Sequence, residues 1–199
     1  MRQDLRKRLK RQRAGLRRLE RERADQAIVR HLLGWSAFRN AKRVASYYSV
    51  ASEVSTRTLN TWLVNSQQSL FLPCLPVARP GRLLFCEITS QTRWSLGQYQ
   101  IPEPLPSARS APRINPAFLD IILVPLVGFD AHGNRMGMGA GYYDRSLAFR
   151  RYRRIWRKPL LVGLAYACQQ VDKLPAQAWD VPLDLVITEQ AIIKCVPSL

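Results

Sequence analysis

A run of glycines that follows an apolar stretch and precedes an aspartate is the part of this chain best suited to chemistry. Residues 120–147 read DIILVPLVGFDAHGNRMGMGAGYYDRSL, which is typical of a buried strand, a glycine loop and the start of a helix. Glycines let backbone N–H groups approach a phosphate, and a helix N-terminus adds a partial positive charge. Arg135 brings a permanent, forked cation into the loop, and Asp144 stands where a carboxylate suits a phosphate-bound Mg²⁺. The stretch therefore predicts a site for a phosphate-bearing ligand.

The glycine spacing alone does not identify that ligand. Gly137, Gly139 and Gly141 are not followed by the Lys-Ser/Thr pair of a Walker loop. The loop is also too long for a dinucleotide fingerprint, and its third glycine comes one residue early. A plain glycine-rich turn at a sheet edge remains an alternative interpretation of the spacing.

Alternating helix and strand patterns predict the elements that position this loop. Residues 1–33 indicate one or two amphipathic helices, and residues 56–65 indicate another. Strand patterns occur at 43–49, 69–76, 82–88 (a candidate edge strand), 120–127, 159–169 and 185–188. With 199 residues, one domain spanning 1–199 is the default. We predict a Rossmann-like, three-layer α/β domain whose mostly parallel central sheet is flanked by helices.

Parallel strands would gather the chemistry at one edge of this sheet. Ligands of such sheets bind outside the carboxyl ends of the strands. The loops after Ser46, Val127 and Ala167 should therefore share that edge. Glu53, in the loop after the first strand, could then meet the glycine loop there, whereas a lone loop glutamate is more often exposed to solvent.

The net charge of +17 is the unusual feature of the composition. Lys and Arg number 31 against 14 Asp and Glu, and such a field attracts polyanions. Basic clusters at 1–30 and 150–158, the second with interleaved aromatics, leave open a nucleic-acid-binding protein. Solvated helix faces are the simpler interpretation of both, the second cluster continuing the helix that Tyr142 begins.

Cysteine usage and hydropathy bear on the compartment. Four cysteines without a C-x-x-C pair, together with two histidines, make a structural zinc site improbable. Cys74 and Cys168 lie in apolar runs and are predicted to be buried thiols in a reducing compartment. No apolar run approaches about 20 residues, so we expect no membrane span. The N-terminus lacks the apolar core of a signal peptide, and we therefore expect a cytoplasmic protein.

A longer string is far more specific than the glycine spacing. Residues 125–145, PLVGFDAHGNRMGMGAGYYDR, resemble the signature of the 5-formyltetrahydrofolate cyclo-ligase (methenyltetrahydrofolate synthetase) family. Residues 179–190, WDVPLDLVITEQ, are similar to the C-terminal signature of that family. The positions that fit the first signature are Pro125, Phe129, Asp130, Gly133, Arg135, Gly137, Gly139, Gly141, Tyr142, Tyr143 and Asp144.

The resemblance implies a ligase of one-carbon metabolism. It would convert 5-formyltetrahydrofolate, with or without a polyglutamate tail, into 5,10-methenyltetrahydrofolate with ATP and Mg²⁺, releasing ADP and phosphate. The reaction would pass through a phosphorylated formyl intermediate. A monomer acting on a small molecule is expected, with Mn²⁺ as an alternative to Mg²⁺. A catalytically weakened nucleotide-binding relative, or a module that uses ATP on another small substrate, remains an alternative.

The resemblance also assigns roles to positions. It implies catalysis by Arg135 and Tyr142 and Mg²⁺ binding by Asp144 and Asp184. The implied ATP contacts are Arg2, Gln3, Asp4, Leu5, Arg6, Arg135, Met136, Gly137, Met138, Gly139, Ala140, Gly141, Tyr142 and Tyr143. The implied folate contacts are Tyr48, Glu53, Met138, Gly139, Ala140, Gly141 and Tyr142. Trp94 and Tyr99 are either further folate contacts or core aromatics.

Two of these positions depart from the family pattern. Arg2 stands where the family usually has lysine, and an arginine keeps the charge with a different geometry. Ala140 stands between the last two glycines, where relatives carry Lys or Gly, and alanine cannot reach a transferring phosphate. If this position required a positive φ, alanine would be strained and the activity weak.

Overall fold

One eight-stranded sheet forms the centre of the computed structural model, which describes residues 2–75, 81–97, 101–105, 113–153 and 158–196. The strands of the described residues are β1 Arg43–Ala45, β2 Ser69–Cys74, β3 Leu84–Ile88, β4 Trp94–Leu96, β5 Pro102–Pro104, β6 Arg113–Ile114, β7 Ile121–Pro125, β8 Gly128–Phe129, β9 Arg135–Met136, β10 Leu160–Leu164, β11 Leu185–Ile187 and β12 Ile192–Lys194. In the large sheet they follow the order β12-β11-β10-β7-β1-β2-β3-β6. Two small hairpins, β4–β5 and β8–β9, stand outside it.

The five central strands of the sheet are parallel. Strand β7 pairs in parallel with β1 and with β10, and the parallel run continues to β2 on one side and to β11 on the other. Strands β3, β6 and β12 then add antiparallel edges. The prediction of a mostly parallel sheet is confirmed. The sequence patterns did not anticipate β12, and β3 is not an edge because β6 pairs with it.

Helices cover both faces of the sheet. The helices of the described residues are α1 Arg2–Ala14, α2 Arg18–Gly34, α3 Ser36–Arg39, α4 Arg57–Val64 and α5 Tyr142–Leu147. Short 3₁₀ segments occur at Pro116–Phe118, Ala148–Tyr152 and Ala167–Gln169. The basic N-terminal region thus forms two helices that separate near Gly15, as one of the two predicted arrangements had it.

Side-chain alternation along the strands creates two apolar layers. On one face, Ile121 and Leu123 of β7 belong to the same buried cluster as residues of α2, α3 and α4. On the other face, Ile122 and Val124 pack in a cluster with Leu147 of α5. The three-layer α/β prediction is confirmed.

The second basic cluster differs from its prediction. Helix α5 ends at Leu147 instead of continuing, and the arginines that follow bind protein groups. Arg150 pairs with Asp184, and Arg153 donates to the Lys158 carbonyl at 2.6 Å while its guanidinium lies over the Phe149 ring. Arg150 and Arg153 are therefore packed against the protein, whereas Arg151 and Tyr152 are exposed, and residues 154–157 of the cluster lie outside the described ranges.

Two further expectations concern thiols and membranes. Cys74 is buried, as predicted, but Cys168 is exposed because the strand ends at Leu164 and the chain has entered a 3₁₀ turn by Ala167. A search of the described residues for a helix long and apolar enough to cross a bilayer finds none.

Candidate active site

A cleft of about 640 Å³ opens where the central parallel strands end. Tyr48 follows β1, Cys74 ends β2 and Pro125 ends β7, and all three line the cleft. The N-terminal turns of α1 and the glycine loop close it from other sides. Glu53 also lines it, which agrees with the expectation that the loop after β1 meets the glycine loop at the carboxyl edge of the sheet.

Most of the predicted site residues lie together in this cleft. Those that line it are Arg2, Arg6, Tyr48, Glu53, Arg135, Gly137, Met138, Gly139, Ala140, Gly141, Tyr142, Tyr143 and Asp144. Five others are not among its described lining: Gln3, Asp4, Leu5, Met136 and Asp184. Gln3 and Asp4 are exposed, whereas Leu5 and Met136 belong to a small apolar cluster beside the cleft. Trp94 does not line the cleft either, and Tyr99 lies outside the described residues.

One stripe of helix α1 directs arginines inwards. Arg2, Arg6, Leu9 and Arg13 recur at helical spacing and form the face turned to the protein, with Leu9 and Arg13 buried. Helical periodicity would have found Arg13, which the sequence reasoning passed over. Lys7, Arg8 and Arg11 occupy the opposite, exposed face.

The first two inward arginines bind the rim of the cleft. Arg6 Nε donates to the Gly137 carbonyl at 3.0 Å, which places its guanidinium beside the glycine loop. Arg2 Nη2 pairs with Asp180 Oδ2 at 2.8 Å, so the start of α1 is joined to the segment that precedes β11. Asp180 also caps a local turn by accepting from the Gln177 N–H, which is the role that its sequence context indicates.

The backbone conformation requires glycine at two of the three glycine positions of the loop but not at the third. Gly139 and Gly141 adopt φ values of +113° and +68°, where a side chain is strained. Gly137 has no such φ, and a Cβ there would meet nothing within 4 Å. Because the fold leaves space at Gly137, the absence of a side chain there suits the close approach of a ligand.

Ala140 is accommodated without backbone strain. Among the described residues, Ala51 is the one non-glycine with a positive φ. The carbonyl of Ala140 accepts from Arg145 Nη2 at 2.7 Å, which fixes the loop at this point. Alanine therefore leaves the loop conformation intact, and what it lacks is the cationic side chain of lysine.

Arg135 and Asp144 form the charged centre of the cleft. The Arg135 side chain is only 4% exposed, and its Nη2 lies 2.6 Å from Asp144 Oδ1. Its Nη1 donates to the Val181 carbonyl, and the Val181 N–H donates to the same Asp144 oxygen at 3.2 Å. Arg135 is thus locked by partners on two segments, and its charge is balanced by a carboxylate that itself faces the cleft.

The structure separates the two carboxylates that the resemblance assigns to Mg²⁺. Asp144 lines the cleft, but Asp184 precedes β11 and lines neither of the cavities described here. Both oxygens of Asp184 lie 2.8 Å from Arg150 Nη2, and Oδ2 also accepts from the Leu161 N–H at 2.7 Å. Its side chain is 17% exposed and already holds three hydrogen bonds, so its present role is to tie β10 to β11.

Asp184→Asn should therefore destabilise the fold and leave the cleft unchanged. The asparagine lacks the negative charge that pairs with Arg150, and its NH₂ group would face Arg150 Nη2 or the Leu161 N–H, which are both donors. We expect the substitution to lower the unfolding free energy by about 2 kcal/mol. Urea unfolding of the variant and the wild type would measure it. A variant with wild-type stability but altered Mg²⁺ dependence would contradict this role and restore Asp184 as a metal ligand.

A divalent cation would find only part of its ligands in the protein. No group of three or more His, Cys, Asp or Glu side chains that could hold a metal occurs in the described part of the chain. Mg²⁺ usually keeps several waters and takes one or two carboxylates besides substrate phosphates. Asp144 fits that description, because it lines the cleft beside the glycine loop. Asp180 also lines the cleft, but it is paired with Arg2.

Two polar groups line the cleft with partly or fully buried side chains: Glu53, an implied folate contact, and Tyr143, an implied ATP contact. Burial raises the pKa of Glu53, while the Val50 N–H that binds its Oε2 at 3.1 Å and the nearby Arg13 and Lys10 charges oppose that shift. The Tyr143 hydroxyl is buried and has no hydrogen-bond partner among the described residues. Since buried hydroxyls are normally paired, this one is suited to a polar group of a ligand.

A second cavity of about 400 Å³ adjoins the glycine loop from the other side. Gly139, Gly141 and Asp144 line both cavities. Trp179, exposed on the segment before β11, also lines both, and sequence reasoning did not single it out. The remaining lining of the second cavity is basic and consists mainly of Arg82, Arg145 and Arg151.

Comparison with known proteins places this chain among close relatives. A model of the 5-formyltetrahydrofolate cyclo-ligase family matches residues 1–189. The 5-formyltetrahydrofolate cyclo-ligase of Haemophilus influenzae is 38% identical over 184 residues, which cover 92% of this chain and 94% of that protein. The Escherichia coli K12 protein of the same name is 35% identical over 154 residues, 76% of this chain and 80% of that one.

Two solved structures share the fold. The NMR structure of Aquifex aeolicus 5,10-methenyltetrahydrofolate synthetase superimposes with a TM-score of 0.82 at 31% identity, covering all of this chain and 94% of that one. A 5,10-methenyltetrahydrofolate synthetase from Mycoplasma pneumoniae gives a TM-score of 0.70 at 27% identity, covering 94% of this chain and 98% of that one.

Proposed function

This chain belongs to the 5-formyltetrahydrofolate cyclo-ligase family, and we propose that it closes the ring of 5-formyltetrahydrofolate to give 5,10-methenyltetrahydrofolate, converting ATP to ADP and phosphate. The observation that carries the proposal is one cleft. It brings Glu53, the arginines of α1 and the glycine loop with Asp144 to the same edge of the sheet. Nucleotide and folate would therefore meet within a single cavity.

The chemistry requires that the formyl oxygen be made a leaving group. Transfer of the γ-phosphate to this oxygen gives an imidate phosphate, and attack by N10 of the folate then closes the ring and expels phosphate. Phosphoryl transfer depends on in-line positioning and charge neutralisation more than on covalent help from the protein. The residues of this cleft supply such positioning and charge.

The glycine loop and α1 would hold the triphosphate. Loop N–H groups are accessible where no Cβ intervenes, as at Gly137. The Arg6 guanidinium is close to Gly139, since a Cβ built there would lie 3.7 Å from it. Arg6 and Arg2 would then provide forked donors to phosphate oxygens, with Arg2 released from or shared with Asp180.

Asp144 is the residue we assign to Mg²⁺. When bound, the cation would neutralise phosphate charge and orient the γ-phosphate, with phosphate oxygens and water as its other ligands. Arg135 keeps the Asp144 carboxylate in place through the 2.6 Å ion pair, so we assign it a positioning role in addition to its positive field. Tyr142, which lines the cleft beside this pair, completes the wall next to the reacting groups.

Glu53, Tyr48 and Tyr143 would bind the folate. A pterin offers N–H donors along one edge, and an ionised carboxylate in a half-buried site is a strong acceptor for them. Tyr48 exposes its ring at the cleft and is suited to packing on a flat heterocycle. The Tyr143 hydroxyl, which has no partner among the described residues, would form a hydrogen bond with a polar atom of the same ligand.

Folate affinity should depend on pH through Glu53. Burial raises the pKa of this carboxyl above its ordinary 4.5, so the ionised form that accepts N–H groups is lost earlier than usual as the pH falls. As the pH is lowered, we expect the Kd for 5-formyltetrahydrofolate to begin rising while the pH is still above 4.5. The Kd should then increase about tenfold for each further unit by which the pH falls. Calorimetric titration across the pH range measures it. Glu53→Gln should bind more weakly and show no such rise, and an equal slope in that variant would contradict the assignment.

A coupled assay tests the proposed reaction. Purified protein is incubated with ATP, Mg²⁺ and 5-formyltetrahydrofolate, and both ADP release and methenyl formation are followed. We expect the two products in equal amounts, each dependent on folate. ADP release that folate does not stimulate would instead favour a module acting on another small substrate, and neither product would overturn the proposal.

A further inference from the structure

The loop that carries Glu53 contains no helix or strand, yet buried side chains from several elements hold it. Residues 46–56 connect β1 to α4 without regular structure. The Tyr47 hydroxyl donates to the Val54 carbonyl at 3.1 Å, and the Ser55 N–H donates to Asp25 Oδ1 at the same distance. Arg13 Nε lies 3.2 Å from Ser52 Oγ. The loop residues that these contacts reach, Ser52, Val54 and Ser55, all lie within two residues of Glu53.

Asp25 and Tyr166 form a hydrogen-bonded pair that contacts the Glu53 loop at two points. Asp25 belongs to α2, and its Oδ1 accepts both from Ser55 and from the Tyr166 hydroxyl, the latter at 2.8 Å. Tyr166 follows the end of β10 and is 1% exposed, and its hydroxyl also lies 3.5 Å from the Glu53 carbonyl. The Asp25 carboxylate is partly buried, and this burial raises its pKa.

Arg13 adds a third connection from α1. It is a buried arginine whose Nη1 donates to the Leu126 carbonyl at 3.1 Å, just beyond the end of β7. The same side chain therefore joins the Glu53 loop to the strand that leads into the glycine loop. Lys10 and Arg13 are the cations that face Glu53, and the buried Tyr47 and Tyr143 are the titratable hydroxyls beside it.

We propose that Asp25 and Tyr166 are positioning residues for folate binding, which hold the backbone of residues 52–55 so that the Glu53 carboxylate faces the cleft. This inference rests on the proposed function, because it takes folate as the ligand of Glu53. The physical reason is pre-organisation: a loop already held in its binding conformation loses less conformational entropy when the ligand binds. Neither Asp25 nor Tyr166 is among the described residues that line the cleft, and their hydrogen bonds reach the Glu53 loop, so nucleotide affinity should not depend on the pair.

A double-mutant cycle tests whether Tyr166 acts through Glu53. Binding of 5-formyltetrahydrofolate and, separately, of ATP is measured by calorimetry for the wild type, Tyr166→Phe, Glu53→Gln and the double variant. We expect Tyr166→Phe to raise the Kd for folate about tenfold and to change the Kd for ATP less than twofold. In the Glu53→Gln background the same change should alter folate affinity less than twofold, because the group being positioned is absent.

Changes at Asp25 separate hydrogen bonding from charge. Asp25→Ala removes the shared acceptor and should weaken folate binding at least as much as Tyr166→Phe. Asp25→Asn keeps an acceptor oxygen and should restore affinity to within about threefold of the wild type. The exposed Tyr152 and Asp172 provide matched controls, and Tyr152→Phe and Asp172→Ala should leave both affinities unchanged. If Tyr166→Phe lowers the thermal midpoint severely, Asp25→Ala replaces it in the cycle.

The outcomes distinguish this inference from the proposed function. Wild-type folate binding together with additive effects of Tyr166→Phe and Glu53→Gln, or equal losses of folate and ATP affinity, would overturn the positioning role alone. A wild type that binds no 5-formyltetrahydrofolate would overturn the proposed function and this inference together. Wild-type binding without turnover would overturn only the proposed reaction, while the cycle would still decide the role of Asp25 and Tyr166.

Discussion

Asp144→Asn should lower kcat by about 10²- to 10³-fold in a protein that remains folded. An asparagine oxygen can still accept from Arg135 Nη2 and from the Val181 N–H, which both reach Oδ1 of the native carboxylate. The fold should therefore persist, whereas the negative charge that we assign to Mg²⁺ is lost. Folate-dependent ADP release, titrated with Mg²⁺, measures the effect, and the residual activity should need a higher Mg²⁺ concentration.

Asp184→Asn is the matched control for that change. It also removes a carboxylate paired with an arginine, but this one lies outside the described lining of the cleft. We expect it to lose stability and to keep its kcat and Mg²⁺ dependence. A kcat of Asp144→Asn within threefold of the wild type would show that the cleft does not use this charge.

Gly137→Val should raise the KM for ATP by about 10- to 100-fold while the protein remains folded. A Cβ at this position meets nothing within 4 Å, and the backbone does not require glycine, so the free protein has room for the side chain. The same side chain would occupy the space where a phosphate approaches the loop N–H groups. Steady-state kinetics with varied ATP, together with the thermal midpoint, measures both parts of the prediction.

Gly34→Ala provides the control for Gly137→Val. A Cβ at Gly34, the last residue of α2, also meets nothing within 4 Å, and this residue does not line the cleft. Its substitution should leave the KM for ATP unchanged. An unchanged KM in Gly137→Val would show that no ligand approaches this part of the loop, and an unfolded variant would show that the space is needed by the fold.

Local patterns were enough to predict most of the architecture. Apolar runs with strand or helix periodicity placed β2, β7, β10 and the helical N-terminal region, because burial of one or both faces imposes that periodicity. They missed β12, a three-residue edge strand whose Ile192 and Lys194 are exposed, since an edge with little burial leaves no periodic signal. They also extended α5 too far, because the chain turns into a 3₁₀ segment after Leu147, where Arg150 binds the Asp184 carboxylate.

The glycine loop and its cleft were predictable for a related reason. Gly139 and Gly141 hold backbone conformations that glycine favours, and Glu53 follows a parallel strand, so sequence order alone sends both to one edge of the sheet. What sequence order cannot specify is which charged side chains pair. Arg135 with Asp144 and Arg150 with Asp184 are both arginine–aspartate pairs, yet one lies in the cleft and the other outside its described lining.

The sequence by itself determined the α/β class and the glycine loop, because these follow from local periodicity and backbone preference, and the resemblance to the family supplied the residues expected to converge on that loop. Only the tertiary structure decided that Asp144 faces the cleft while Asp184 joins two strands. It alone brought Asp25 and Tyr166, 141 residues apart, to the loop of Glu53. Such contacts depend on how helices and strands pack in three dimensions, and no short stretch of sequence carries that information.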